Sequence, residues 1–342
     1  MERIPEFVGV SFPLFFVIMC LYPLPHIVTG PNAKGGFQMI FEELADHWWH
    51  LALQIRNFYE YNISNLLIHT WFLSVDFQLF LVALPTLLIL KGRKSALVTA
   101  FCALSLLGCA IGTWVVARHE LQPMNVFPSA NTHLMEKTFN EYYIRPYYHA
   151  AAYFSGCMTF LLMGDFRKKK LTKGMQLLGW CVSVGCGLTS VFWKLPWYRS
   201  VSPTSVTTSL FVAFFDRILW SVFLVWLTLC FASGRGGYAS KFLSWNVFVP
   251  LSKLTFGVYI IHMPFIQLML YASRERVVLS RFNMVTLWFS VLVWNYLLSY
   301  LVYIACEAPI TKLSNLICGR ILGRAETRVQ NARTAGIVCV KV

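Results

Sequence analysis

Charge is what this sequence has least of. Charged residues make up 13% of the 342 positions, against roughly 25% in an average soluble domain. With 57% hydrophobic residues and a mean hydropathy of +0.58, the chain cannot clothe itself in polar surface in water. The shortage is lopsided, with 15 Asp and Glu against 29 Lys and Arg. Cysteine is present, but not where a disulfide framework would need it. Of the ten, Cys20, Cys102, Cys109, Cys157, Cys181, Cys186, Cys230 and Cys306 fall in apolar runs, and Cys318 and Cys339 in the tail. That placement argues against paired bridges and against a metal site with paired spacing. There is no phosphate-binding glycine loop, dinucleotide glycine motif, zinc-protease motif or nucleophile elbow, so soluble-enzyme chemistry has no support. No internal repeat or linker separates a second domain. The first apolar run follows a single Arg3, exceeds the length of a signal core and is interrupted by Pro13, Pro23 and Pro25, so it reads as a retained, kinked helix.

What the sequence has is long apolar runs. They cover Phe7 to Val28, Trp71 to Leu90, Ala96 to Ala117, Tyr147 to Gly164, Met175 to Trp193, Val206 to Phe231, Leu251 to Tyr271 and Met284 to Cys306. About 20 residues in an α-helix cross a bilayer core with every backbone hydrogen bond satisfied internally. The expected fold is therefore an all-α, polytopic integral membrane helix bundle of about eight transmembrane helices, occupying 1–318, with a polar cytoplasmic tail at 319–342.

Orientation follows from the basic residues. Lys91 to Lys94, Arg167 to Lys170, the turn from Arg235 to Lys253 and the tail from Lys312 to Lys341 fall on one side, which the positive-inside rule makes cytoplasmic. Both termini are expected there. The longer loops, Thr29 to Thr70 and Arg118 to Pro146, face outward with most loop carboxylates, among them Glu42, Glu43, Asp46, Glu60, Glu120, Glu136, Glu141 and Glu275. Asn62-Ile63-Ser64 is a glycosylation sequon in the first outer loop, consistent with that side. The net charge of +14 is spread over cytoplasmic loop ends, which argues for anionic lipid headgroups and against nucleic acid as a partner.

Ionisable residues inside apolar segments are expensive, so they are the functional candidates. Asp76, bracketed by Ser74 and Gln78, reads either as a cavity carboxylate that orients a substrate hydroxyl or a histidine, or as an interhelical packing bond. Asp216 and Arg217 are adjacent and point about 100° apart, which predicts different partners within a structural ion-pair network. Glu307 reads as a helix-end feature. His262, with Tyr259 one turn before it, reads as a donor, base or ligand, or as a hydrogen-bonded packing residue. His47 and His50 beside Trp48 and Trp49 read as interfacial; they have an i, i+3 metal spacing but no third ligand close by, so no metal is expected. The surviving classes are a membrane-embedded transferase and a transporter, and the absence of matched broken halves favours the first.

Several stretches together carry a resemblance: Gly30-Pro31; Trp48-Trp49; Arg56-Asn57-Phe58-Tyr59; Trp71 to Phe80; Tyr142 to Tyr147; Pro250 to His262; and the closing Glu307-Ala308-Pro309. Their order and spacing resemble the membrane acyltransferases of the acyltransferase-three family, in its nose-resistant-to-fluoxetine branch. The resemblance implies transfer of an acyl group, from acyl-coenzyme A as co-substrate, to a hydroxyl of a lipid, sterol, sugar or similar acceptor, with no bound cofactor. It also implies a departure: the family's first core helix, with the histidine that acts as base, has no counterpart here, and Met1 falls where the third core helix would start. On that reading the chain is a fragment or an inactive form, its catalytic residue is unknown, and Asp76 and His262 are the candidates. The substrate-cavity candidates are Asp76, Gln78, Tyr259 and His262, with Arg56 and Arg145 as outer anion contacts. The Arg167 to Lys170 cluster reads as a topology signal or as a route for the donor. The branch also implies an alternative, non-enzymatic handling of lipids or drugs. The expected location is the plasma membrane or endoplasmic reticulum.

Overall fold

In the computed structural model, residues 4–59, 67–124, 126, 131–199, 205–274, 280–313 and 316 are described, with side chains from residue 11 onward. The sequon at Asn62, Glu60, Glu275 and the tail cysteines lie outside the described residues. Among the described residues there is no strand.

All eight expected segments are helical. The long helices are α1 (Ile4–Leu21), α2 (Ala33–Ala52), α3 (Trp71–Ile89), α4 (Lys94–His119), α5 (Pro146–Lys168), α6 (Lys173–Phe192), α7 (Val206–Ala232), α8 (Phe248–Ala272) and α9 (Arg281–Val302). Among the described residues, six stretches are long and apolar enough to cross a membrane: Ile68–Ile89, Lys94–His119, Lys173–Arg199, Val206–Ala232, Phe248–Ala272 and Arg281–Leu313. Ser11–Ile27 is apolar but shorter, and α5 carries Asp165, Arg167 and Lys168 in its last turn.

The two long connections expected to face outward are not plain loops. The stretch expected to run loose from Thr29 to Thr70 contains the 20-residue helix α2. Its buried residues Ala33, Phe37, Ile40 and Leu44 repeat at helical spacing, which gives it one apolar face. The second connection holds a helix at Thr132–Thr138, started by Asn131, whose side chain accepts from the Leu134 amide at 3.0 Å. A wide turn at Phe139–Tyr143 follows. Hydroxyl caps start three spanning helices: Thr172 accepts from Met175 N, Ser205 from Thr208 N and Ser280 from Asn283 N. Each cap satisfies an amide that the helix leaves unpaired.

The chain divides into two units, one formed by residues 1–45 with 249–342 and the other by 46–248. In the second unit, Val75, Leu79 and Ala83 of α3 meet Leu97 and Phe101 of α4 and Ala150 and Phe154 of α5, with the Phe101 and Phe154 rings stacked at 5.7 Å. Small residues bring these helices close. A Cβ on Gly108 of α4 would lie 2.6 Å from Ala150 Cβ, and one on Gly112 would lie 3.2 Å from the Tyr142 ring. On α6, Gly179, Ser183 and Gly187 form a stripe against α7: Gly179 receives Trp226, Ser183 Oγ donates to Phe223 O at 3.3 Å, and Gly187 receives Phe223. Without a hydrophobic drive between helices in lipid, such close backbone packing is what holds them together.

At one set of helix ends the basic residues cap helices. Arg167 Nε donates to Ala232 O at 2.8 Å, Arg235 donates to Phe166 O at 3.1 Å and to Lys169 O, and Lys94 pairs with Asp165. Cations at helix C-termini complement the helix dipole.

In the first unit, Gly257 of α8 packs against Ser299 of α9, whose hydroxyl donates to Leu254 O at 2.6 Å. Phe37 of α2 meets Tyr271 of α8 edge-on, with ring centroids 6.3 Å apart. A wide turn at Tyr303–Glu307 continues α9.

Candidate functional site

The second unit concentrates polar groups around the residues that precede α3 and α5. After α2 the chain reverses at Gln54, whose φ of 55° is left-handed; such a conformation is uncommon for a side-chain-bearing residue and persists only where the surroundings hold it. Here they do. Gln78 of α3 donates through Nε2 to Gln54 O at 2.9 Å and to Asn57 Oδ1 at 2.7 Å, while Asn57 Nδ2 donates to Gln78 Oε1 at 3.0 Å and to Ile144 O at 3.4 Å. This reciprocal amide clasp ties the turn at Arg56–Phe58 to α3 and to the start of α5. Asn57 is fully buried, so each of these bonds replaces a costly unpaired group.

The arginines expected as anion contacts flank the clasp in sequence. Arg56 is buried. Arg145 donates through Nε to Asn140 O at 2.8 Å and places its guanidinium 5.7 Å from the Phe58 ring centroid. Asp76 lies on an exposed part of α3. Two helical residues separate it from Gln78, a rotation of about 200°, so the structure does not bring Asp76 and Gln78 together in one cavity. Tyr259 and His262 belong to the first unit, where His262 Nδ1 lies 2.6 Å from Tyr259 O and the two rings are 6.0 Å apart. A carbonyl only accepts, so Nδ1 carries the proton there.

Deeper along α7 lies a buried charge cluster. Asp216, only 3% exposed, accepts from Ser190 Oγ at 2.7 Å and pairs with Lys194 Nζ at 2.8 Å. Arg217 Nε is 3.8 Å from the other Asp216 oxygen, its terminal nitrogen bonds Tyr148 Oη, and its guanidinium sits 3.8 Å from the Tyr148 ring centroid. Tyr142, fully buried, donates to Ala213 O at 3.5 Å. Adjacent Asp216 and Arg217 thus take largely different partners, as their rotation about the helix predicts. Lys194 went unread in the sequence as a charge partner; a lone lysine between Trp193 and Leu195 was the available signal.

His50 departs from expectation. Read as interfacial beside His47, its ring is instead 1% exposed, stacked 3.5 Å from the Tyr59 ring and 3.8 Å from Trp49. Neither ring nitrogen has a hydrogen-bond partner. Burial, then the neighbouring charges of His47 and Arg56, push its pKa down, which favours the neutral imidazole. Trp48 and Trp49 remain exposed, as an aromatic belt requires. Among the described residues no group of three His, Cys, Asp or Glu side chains is placed to hold a metal.

Against known proteins, residues 8–304 match the family described as Acyltransferase domain, Acyl_transf_3. The chain is 26% identical over 283 residues to nose resistant to fluoxetine protein 6 of Caenorhabditis elegans, a stretch that covers 79% of this chain and 34% of that protein. The chain therefore spans about a third of that relative's length. No solved structure matches. The family match takes in the amide clasp, Asp76, the Asp216 cluster and the Tyr259–His262 pair alike. On this evidence the chain belongs to the acyltransferase family Acyl_transf_3, and it is a polytopic helical membrane protein.

Proposed function

We propose that the chain is the membrane-embedded part of an acyltransferase that moves an acyl group from acyl-coenzyme A to a hydroxyl of a lipid or other small acceptor. The observation that carries this reading is the continuous family match over 8–304. In the reaction, the acceptor oxygen attacks the thioester carbonyl carbon, the C–S bond breaks, and the hydroxyl proton ends on the departing thiol. Asp76 orients the acceptor hydroxyl, and Arg56 and Arg145 hold an anionic part of a substrate. Tyr259 and His262 serve as secondary polar groups. Plasma membrane or endoplasmic reticulum, cytoplasmic termini and glycosylation at Asn62 complete the proposal.

A second reading is a lipid- or drug-handling protein on the same fold; the C. elegans relative is named for resistance to a drug, fluoxetine. The two are separated by purifying the chain in nanodiscs, beside a version extended to the relative's length, and supplying labelled acyl-coenzyme A with a panel of lipid and sterol acceptors. Transfer by either length, lost in Asp76→Asn, supports the transferase. No transfer by both lengths, together with protein-dependent movement of labelled lipid across a vesicle wall, supports the second reading.

A further inference from the structure

The first unit contains a cavity of about 370 Å³ that the polar groups described above do not use. Its wall runs from Phe16 to Leu24 on the first apolar segment, from Ile261 to Leu268 on α8, and from Leu298 to Ala305 on α9 and its wide turn. On α8 and α9 the wall residues recur at helical spacing over seven residue steps, about 10 Å at 1.5 Å per residue. The cavity is therefore a slot parallel to its helices, and on α8 and α9 it lies inside the membrane-spanning stretches.

The chemistry of the wall narrows the occupant. Cys20 supplies its one polar side chain, a thiol. Water needs two to four polar partners to settle in a cavity, so water does not fill this one. At about 30 Å³ per water-sized group, the slot has room for roughly a dozen such groups, enough for a segment of an acyl tail. Pro264 contributes to one wall; lacking an N–H, it leaves the Ile260 carbonyl without its helical donor. Ala305, on the opposite wall, sits within the wide turn Tyr303–Glu307. Both helices thus depart from regular hydrogen bonding where they face the slot. Leu301 at the rim is 61% exposed and Cys20 is also exposed, so the opening is at the flank of the helices, where a bilayer lies.

We propose that this slot holds one acyl tail of a bilayer phospholipid, lying parallel to α8 and α9. The inference requires the membrane placement of these helices and is independent of the transferase reading.

The test uses the full chain in nanodiscs containing phosphatidylcholine with a photoreactive group in its tail, and in a second arm photoreactive palmitoyl-coenzyme A, with adducts mapped by mass spectrometry. The phosphatidylcholine probe is expected to label the three wall segments severalfold above lipid-facing Leu88 and Ile89, which are 64% and 81% exposed. An excess of unlabelled oleate is expected to compete away the wall adducts alone. In Leu298→Trp, which narrows the slot, those adducts fall severalfold while those at Leu88 and Ile89 remain. Uniform labelling of wall and lipid-facing residues, insensitive to oleate in the unmodified chain, overturns the proposal whether or not the tryptophan variant folds. Wall labelling by the palmitoyl-coenzyme A probe alone overturns the choice of a bilayer lipid.

Discussion

The two units solve the problem of cohesion in a membrane in different ways. The 46–248 unit is closed by polar bonds and backbone-close contacts: the Asn57–Gln78 clasp, the Asp216–Lys194–Ser190 cluster and the glycine approaches of α4 and α6. The other unit also has close glycine contacts, Gly30 and Gly36 against Tyr271 and Gly257 against Ser299, but among its described residues it keeps an apolar slot beside α8 and α9. A tightly packed scaffold tolerates little change. A region with a cavity has room to accept both larger side chains and ligands.

The comparison breaks most directly at Asp216. Asp216→Ala leaves Lys194 and the adjacent Arg217 without their carboxylate, and breaking a buried pair costs about 3 to 5 kcal/mol. Thermal unfolding in detergent should show a large fall, partly restored in Asp216→Leu/Lys194→Met; full stability in the single variant contradicts the assignment. Next comes overpacking. Gly108→Leu drives a side chain into Ala150 and should cost about 1 to 3 kcal/mol, whereas Gly156→Leu, on the same unit with nothing within 4 Å of its Cβ position, should cost little. Ala305→Leu, at the slot of the other unit, should be tolerated as well, and a cost equal to that of Gly108→Leu would erase the difference between the units.

Gln78→Leu should cost about 1 to 3 kcal/mol, because it orphans buried Asn57 and the Gln54 carbonyl. Hydrogen exchange should rise at 54–58 and leave 254–268 unchanged. The smallest effect concerns His50. Its pKa in the folded chain is depressed, so the folded state binds fewer protons than the unfolded one. Stability should therefore be complete above the ordinary histidine pKa near 6.5 and fall as pH drops below it. His50→Gln should flatten that slope between about pH 6.5 and 5, read as melting temperature against pH; an unchanged slope assigns it to other groups.

How much of this was legible in the sequence depends on the range of the interaction. Apolar runs of bilayer length are local, and each of the eight is helical. The α2 helix escaped because Gly35, Gly36, Glu42, Glu43 and Asp46 make its stretch look like loop, although Ala33, Phe37, Ile40 and Leu44 carried its period. The stripe Gly179, Ser183, Gly187 and the pair Gly108, Gly112 were equally visible as spacing, but not which helix each would meet. The clasp joins Asn57 to Gln78 and to Ile144, 21 and 87 positions away, and no periodicity encodes such a pairing. Asp76 and Gln78 read as groups of one cavity because they lie two positions apart in sequence; helical rotation sends them to different sides.

The most direct test of the central claim is acyl transfer itself, measured with labelled acyl-coenzyme A and hydroxyl-bearing lipids in nanodiscs, with Asp76→Asn and Gln78→Leu as paired variants. The account predicts label in a hydroxyl acceptor from the extended protein. Asp76→Asn should abolish it without a change in melting temperature, and Gln78→Leu should lower it in proportion to lost stability. Transfer that survives Asp76→Asn contradicts the site assignment, and absence of transfer at every chain length contradicts the transferase reading.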